Sequence, residues 1–242
     1  MKVVGLVRLF DFPDVQITLD ALAELVDGIY AYADKNINKK VLSVAQAHPK
    51  VVEIEHNTAA WHQARSLQNA FNMLSDVKPD VVFYPDEDEL FPADRDIMMR
   101  WLYADNRTAL SFNLLVCWGN KETVAVGAGY TSRGPHVKAL RWHKDVLYIA
   151  PQRKYRCMCR PWNCIEVISP LPMRHLAVYT EKVRRARTRR HARVWQPRTE
   201  PMIMPFEENK TFESYLVDYA QKIREGRVNA KKDKRAGKRK KH

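Results

Sequence analysis

Apolar and polar positions switch between two periods through the first part of the chain, and the switches predict its elements. Residues 2–10 (KVVGLVRLF) form a β-branched run suited to a strand buried on both faces, with Gly5 permitting close backbone approach. Asp11-Phe12-Pro13-Asp14 is a turn. Over residues 15–26, Ile17, Leu19, Leu22, Leu25 and Val26 recur at helical spacing with Asp20 and Glu24 on the outer face. Asp27-Gly28 stops that helix, because Gly accepts the left-handed conformation of a C-cap. Residues 29–33 predict a second strand ending in Asp34, residues 35–49 a short helix, and residues 51–55 a third strand. Residues 59–74 are helical again, and Lys78-Pro79-Asp80 leads into a fourth apolar strand at Val81. The alternation of strand and helix implies a mainly parallel, doubly wound α/β sheet.

The second half is patterned less regularly. Residues 109–118 (ALSFNLLVCW) predict one apolar strand, and residues 120–142, rich in Gly, polar residues and aromatics with a Pro135-His136 turn, read as irregular. Strands are expected at 146–150 and 165–168, and Thr180-Glu181 caps a helix that carries Arg184, Arg185, Arg187, Arg189, Arg190 and Arg193. Residues 212–224 read as a short amphipathic helix. Residues 231–242 (KKDKRAGKRKKH) have no apolar residue beyond one alanine, cannot bury themselves, and are expected to be disordered until they meet a polyanion.

Length and composition bound this picture without changing it. The 242 residues suit one large α/β domain or two small ones, and 45% hydrophobic content is ordinary for a globular chain. No apolar run approaches the ~20 residues that span a bilayer. The first strand is interrupted by Arg8, so neither a signal nor a transit peptide is expected. Four cysteines are too few for a disulfide scaffold and fit a reduced cytoplasm. The spacing of Cys157, Cys159 and Cys164 matches no common zinc knuckle, and buried free thiols are expected there.

Charge does change the picture. The net +13 is concentrated at one end: residues 1–181 balance 21 Lys/Arg against 21 Asp/Glu, residues 182–198 add +8, residues 199–221 subtract 4, and residues 222–242 add +9. Such asymmetry speaks to partners rather than fold. Closely spaced arginines without acids repel one another, and phosphates relieve that by bidentate pairing.

The candidate chemistry sits at the end of the fourth strand, in VVFYPDEDELFP (81–92). Four consecutive carboxylates raise one another's pKa values, and a hard divalent cation with oxygen ligands is the simplest way to hold them together. The alternative is a solvated acidic turn. Their place at the carboxyl end of an apolar strand, where open α/β sheets bind ligands, favours the ion. Asp86 and Asp88 are the expected pair, Glu89 a residue orienting a ligand, and Glu87 a solvent-facing one. Neither a phosphate-binding G-x-x-x-x-G-K-[ST] loop nor a G-x-G-x-x-G turn is present.

The segments VVGLVR, IYAYAD and YPDEDELFP resemble the nucleotide-sugar half of a family 2-type glycosyltransferase of the GT-A fold, over residues 1–115 and more loosely to residue 195. The resemblance implies a nucleotide-diphospho-sugar transferase fold: a donor-binding half at 1–115, an acceptor-binding half with a basic helix at 116–198, and a C-terminal helix and basic tail at 199–242. It implies Mn2+ or Mg2+ on the diphosphate of a donor, foremost a UDP-sugar such as UDP-glucose. Val7 and Arg8 then lie at the donor entrance, Asp34 contacts base or ribose, Asp86 and Asp88 form the D-x-D pair, and His175, in Met173-Arg174-His175-Leu176, completes the metal shell. Arg65, on the helix before the acidic strand, is placed to reach the diphosphate or to face solvent. Trp118, Tyr130 and Trp142 are candidate stacking platforms for the acceptor, or core aromatics. Arg184, Arg185 and Arg187 are candidate phosphate contacts, and Glu122, Asp145 and Glu166 candidate bases.

The basic tail favours DNA as the acceptor, a 5-hydroxymethylpyrimidine such as 5-hydroxymethylcytosine being glycosylated as in bacteriophage DNA modification. That reading implies the cytoplasm, the host's if the chain is phage-encoded. A bacterial surface-glycan transferase docked on anionic lipid is one alternative; a non-catalytic nucleic-acid-binding protein on a dead transferase fold is another.

Overall fold

A computed structural model describes residues 1–57, 63–126, 135–143, 148–149, 160–161, 165–178, 180 and 202–239. The first strand, β1 (Val3–Leu9), alternates its side chains between two cores. Val3, Val7 and Leu9 enter one; Val4 and Leu6 enter the other. Helices α1 (Val15–Ala23), α2 (Lys39–Ala47) and α4 (Arg95–Tyr103) contribute to the first core, and α3 (Gln63–Asn72) covers the second. Gly5 is the point of closest approach, since a Cβ there would lie 2.7 Å from Leu22 Cδ2 on α1.

Strands β2 (Gly28–Ala33), β3 (Val51–His56) and β4 (Val81–Phe83) run parallel with β1, in the order β3-β2-β1-β4. The sheet then continues through β9 (His136–Arg141), which is antiparallel to both its neighbours, to β6 (Ala109–Phe112) and the edge strand β12 (Glu166–Ile168). This seven-stranded, parallel-rich sheet draws strands from both sides of residue 115. A second sheet of five strands takes the order β14-β8-β7-β13-β5, from β5 (Glu89–Leu90), β7 (Leu114–Trp118), β8 (Thr123–Val126), β13 (Met173–Val178) and β14 (Met202–Pro205). A two-stranded ribbon pairs β10 (Tyr148–Ile149) with β11 (Arg160–Pro161).

Three expectations from the sequence are corrected. The single strand at 109–118 is two, broken at Asn113, and each half belongs to a different sheet. The irregular segment at 120–142 contains β8 and β9, and β9 occupies the middle of the large sheet. The helix starting at Phe212 does not end near residue 224: α5 spans Phe212–Arg239. Thr211 caps its start by accepting a bond from the Ser214 N–H at 3.2 Å, and Phe212 and Tyr215 anchor it in the core. Lys, Arg and Ala are good helix formers and no proline interrupts them, so a lack of apolar residues prevents burial without preventing a helix. Among the described residues, no helix is long and apolar enough to cross a membrane.

Candidate active site

From β1 the chain winds outward to β2 and β3, then returns to β4 on the other flank of β1. The carboxyl ends of two strands whose connections diverge in this way leave a crevice, the usual ligand position in open α/β sheets. Arg8 of β1 and Asp86, just beyond β4, meet at this point as an isolated parallel bridge.

The four carboxylates past β4 have four different settings. Asp86 Oδ1 accepts from Arg8 Nη2, and its Oδ2 accepts from Lys138 Nζ at 2.9 Å. Lys138, on β9, also lies 2.6 Å from Glu89 Oε2, and both side chains are buried. Glu89 in turn accepts from the backbone N–H of Asp86 at 2.8 Å. Glu87 is the correction: it is buried, and takes backbone N–H bonds from Phe10 (2.6 Å), Asp11 (2.9 Å) and Phe12 (2.9 Å). It thus ties the β1–α1 loop to the acidic turn, reinforced by Thr18 Oγ1 donating to the Glu87 carbonyl at 2.8 Å. Asp88 Oδ2 faces His175 Nε2 at 3.2 Å, while the Leu176 N–H donates to the Asp88 carbonyl at 2.7 Å. Because β5 pairs with β13 at Glu89↔His175, the acidic turn bridges the two sheets.

Electrostatics follow from these contacts. Burial disfavours the Asp86 carboxylate, but Arg8 and Lys138 outweigh it and hold the group far below the ordinary carboxylate range. Burial pushes Glu89 up, against the pull of Lys138. Burial would lower Lys138, yet Asp86 and Glu89 overcome it and raise it, so the lysine stays charged. Burial raises Glu87 from 4.5 to about 8 despite the N–H groups of Asp11 and Phe10. The native state therefore holds this proton more tightly than the unfolded chain. Its contribution is complete below pH 4.5 and is withdrawn as pH climbs through 8. Urea denaturation at pH 5 and pH 9 should show wild-type stability falling with pH, and Glu87→Gln should remove part of that slope.

Other residues singled out from the sequence fall in several places. Asp34 ends β2 on the same sheet edge; it is buried, its Oδ1 accepts from the Asn36 N–H at 2.8 Å, and its Oδ2 has no hydrogen-bond partner among the described residues. Trp118 packs on Val116, which is paired with His175, so it shares the face of the small sheet that carries His175. Val7 is corrected: its side chain is fully buried in the first core and does not line the crevice. Trp142 takes the core role and not the acceptor-stacking one: it stacks on Phe71 (6.0 Å, 4°) beside Asp80, at the opposite end of β4 from Asp86. Glu166 accepts a bond from Ser111 on the sheet edge, three strand spacings (~14 Å) from β4. Glu122 is exposed, 4.0 Å from Arg174, whose side chain leaves β13 on the face opposite His175. Tyr130, Asp145, Arg184, Arg185, Arg187 and the cysteines 157, 159 and 164 lie outside the described residues, as does the side chain of Arg65.

No protein-family model matches the chain, and no curated protein matches it. Among solved structures it is similar to a 4-diphosphocytidyl-2C-methyl-D-erythritol synthase from Anaerococcus prevotii, at 13% identity and a TM-score of 0.36, over 58% of this chain and 70% of that one. It is also similar to residues 1–349 of TarS from S. aureus, at 16% identity and a TM-score of 0.36, over 58% of this chain and 47% of that one.

Lys138 is the site residue that sequence reasoning missed. Its signal was present: one charge between Val137 and Ala139, in a run (HVKALR) whose other inward positions are apolar. A buried lysine needs buried carboxylates, and the chain has one conspicuous set.

Proposed function

We propose that this chain is a glycosyltransferase that takes a sugar from a nucleoside-diphosphate donor, a UDP-sugar foremost, with Mn2+ or Mg2+ as its cofactor. The observation behind this reading is a pair of contacts at the acidic turn beyond β4, Arg8 with Asp86 and His175 with Asp88, at the sheet edge where the connections of β1 and β4 part. Among the described residues no three His, Cys, Asp or Glu side chains are grouped as a ready-made cage. A cage is not required, because such ions are commonly held by one or two carboxylates with substrate phosphates completing the shell. The Asp88 carboxylate and neutral His175 imidazole are a donor pair of that kind. Asp86 joins them only by releasing Arg8 or Lys138. Bound there, the ion would draw charge from the diphosphate as it leaves.

The remaining roles belong to the chain. The buried Oδ2 of Asp34 accepts a hydrogen bond from the base or ribose, which removes the cost of leaving it unsatisfied. Asp86 holds Arg8 and Lys138 as fixed positive charge beside the diphosphate. Trp118 offers an apolar face to the acceptor. In the transfer itself, the acceptor oxygen bonds to the anomeric carbon as the bond from that carbon to the diphosphate breaks. The nucleoside diphosphate leaves with the electron pair, and the hydroxyl proton passes to a base or to water. We assign the acceptor to a 5-hydroxymethylpyrimidine in DNA, on the strength of the +9 carried by residues 222–242.

The test is release of nucleoside diphosphate from a panel of UDP-, GDP- and dTDP-sugars in manganese. Slow donor hydrolysis is expected from wild type and none from Asp86→Ala. Absence of release from every donor, with the protein folded, would instead support a dead transferase fold.

A further inference from the structure

Helix α5 runs for 28 residues, and the residues along its two sides differ in kind. Phe212 and Tyr215 are buried and Tyr219 packs on the core, so they define the side that faces the protein. At 3.6 residues per turn the same side continues through positions 223, 226, 230, 233 and 237, which are Ile, Gly, Ala, Asp and Gly. None of them is basic. Positions 224, 227, 231, 234, 235 and 238 recur three and four apart on another side of the helix, and all are Arg or Lys.

We propose that this stripe is a docking surface for double-stranded nucleic acid, with α5 lying in or along the major groove. The stretch from Arg224 to Lys238 is long enough, at 1.5 Å per residue, to follow about 20 Å of groove. A major groove about 12 Å wide admits a helix and lines it with phosphates on both walls, which suits a stripe of cations broader than one row. Like charges stacked at these spacings destabilise an isolated helix, and phosphates remove that cost while releasing counterions. Anionic lipid is the other large polyanion, but a helix lying in a membrane interface needs an apolar face. Between Arg224 and Arg239 this one has a single large apolar residue, Val228. The surface deepens the DNA-acceptor assignment, yet it requires neither transfer nor a metal.

Fluorescence anisotropy of a labelled 20-base-pair duplex tests it, using the full chain and a variant carrying Arg227→Gln, Lys231→Gln, Lys234→Gln and Lys238→Gln. Wild type should bind with a dissociation constant at or below about 1 μM at low salt and with steep salt dependence. The variant should bind at least tenfold more weakly at 100 mM salt, and its slope of log K against log salt should be shallower by about 0.9 for each phosphate it no longer neutralises. Its thermal melting and its donor hydrolysis should match wild type. Equal affinity and slope in both proteins overturns the proposal. So does wild-type binding to phosphatidylserine vesicles in preference to the duplex. Duplex binding by a chain that releases no nucleotide from any donor would leave the surface standing and remove the glycosyltransferase assignment.

Discussion

Lys138→Met is expected to destabilise the fold by about 3–5 kcal/mol, the range for removing one partner of a buried ion pair. The lysine is buried and serves two carboxylates at once, at 2.9 Å from Asp86 and 2.6 Å from Glu89. Asp86 keeps Arg8 in the variant, but Glu89 sits in a setting where burial already raises its pKa. Without the ammonium, Glu89 must take up a proton or remain a buried charge. The variant's deficit should therefore be smallest at acidic pH, where Glu89 is protonated in both folded and unfolded states, and should widen as pH rises toward neutrality. Adding Glu89→Gln should restore part of the loss, giving a positive coupling in a double-mutant cycle read by urea denaturation. Equal deficits at pH 5 and pH 8, with no rescue by Glu89→Gln, would mean that Lys138 contributes packing alone.

The order of strands up to β4 was legible because β1, β2 and β4 are apolar runs, β3 alternates apolar and acidic residues, helical periods separate the four, and βαβ connections have few solutions. The place of Asp86 and Asp88 at the sheet's carboxyl edge was legible for the same reason, and so was Asp34. Family resemblance implied His175 as a metal ligand alongside Asp86 and Asp88; the structure shows its Nε2 3.2 Å from Asp88 Oδ2. The rest depends on contacts between residues far apart in the chain. Nothing local distinguishes Glu87 from Glu89, since one is buried by backbone N–H groups some 75 residues upstream and the other by a lysine 49 residues downstream. β9 was missed because it follows a Gly-rich stretch with no helical period before it, and its buried lysine breaks the apolar pattern. Trp142 reads from the sequence as a stacking platform or a core aromatic, and the antiparallel direction of β9 decides for the core by carrying it to the Asp80 end of β4.

Asp88→Asn is expected to lower donor hydrolysis by about 10²–10³-fold, the effect of deleting one preorganised electrostatic partner of a departing group. The substitution keeps the shape of the side chain and an oxygen within reach of His175 Nε2, and leaves the Asp88 carbonyl bond from Leu176 in place. Only the charge is removed, so the urea midpoint should move little. Two further readouts separate an ion-holding role from a structural one. Wild type should show saturable Mn2+ binding by electron paramagnetic resonance without any donor present, and Asp88→Asn should not. His175→Ala should weaken Mn2+ binding in the same direction, whereas Glu87→Gln, whose carboxylate is turned toward the β1–α1 loop, should leave it unchanged. The comparison with Asp86→Asn is the sharper one. That variant removes the charge and one of the two acceptor oxygens that hold Arg8 and Lys138, and should lose donor affinity along with stability, while Asp88→Asn should lose turnover with the fold intact. If the two variants cannot be told apart in stability, ion binding and rate, the division of labour between the two aspartates does not exist.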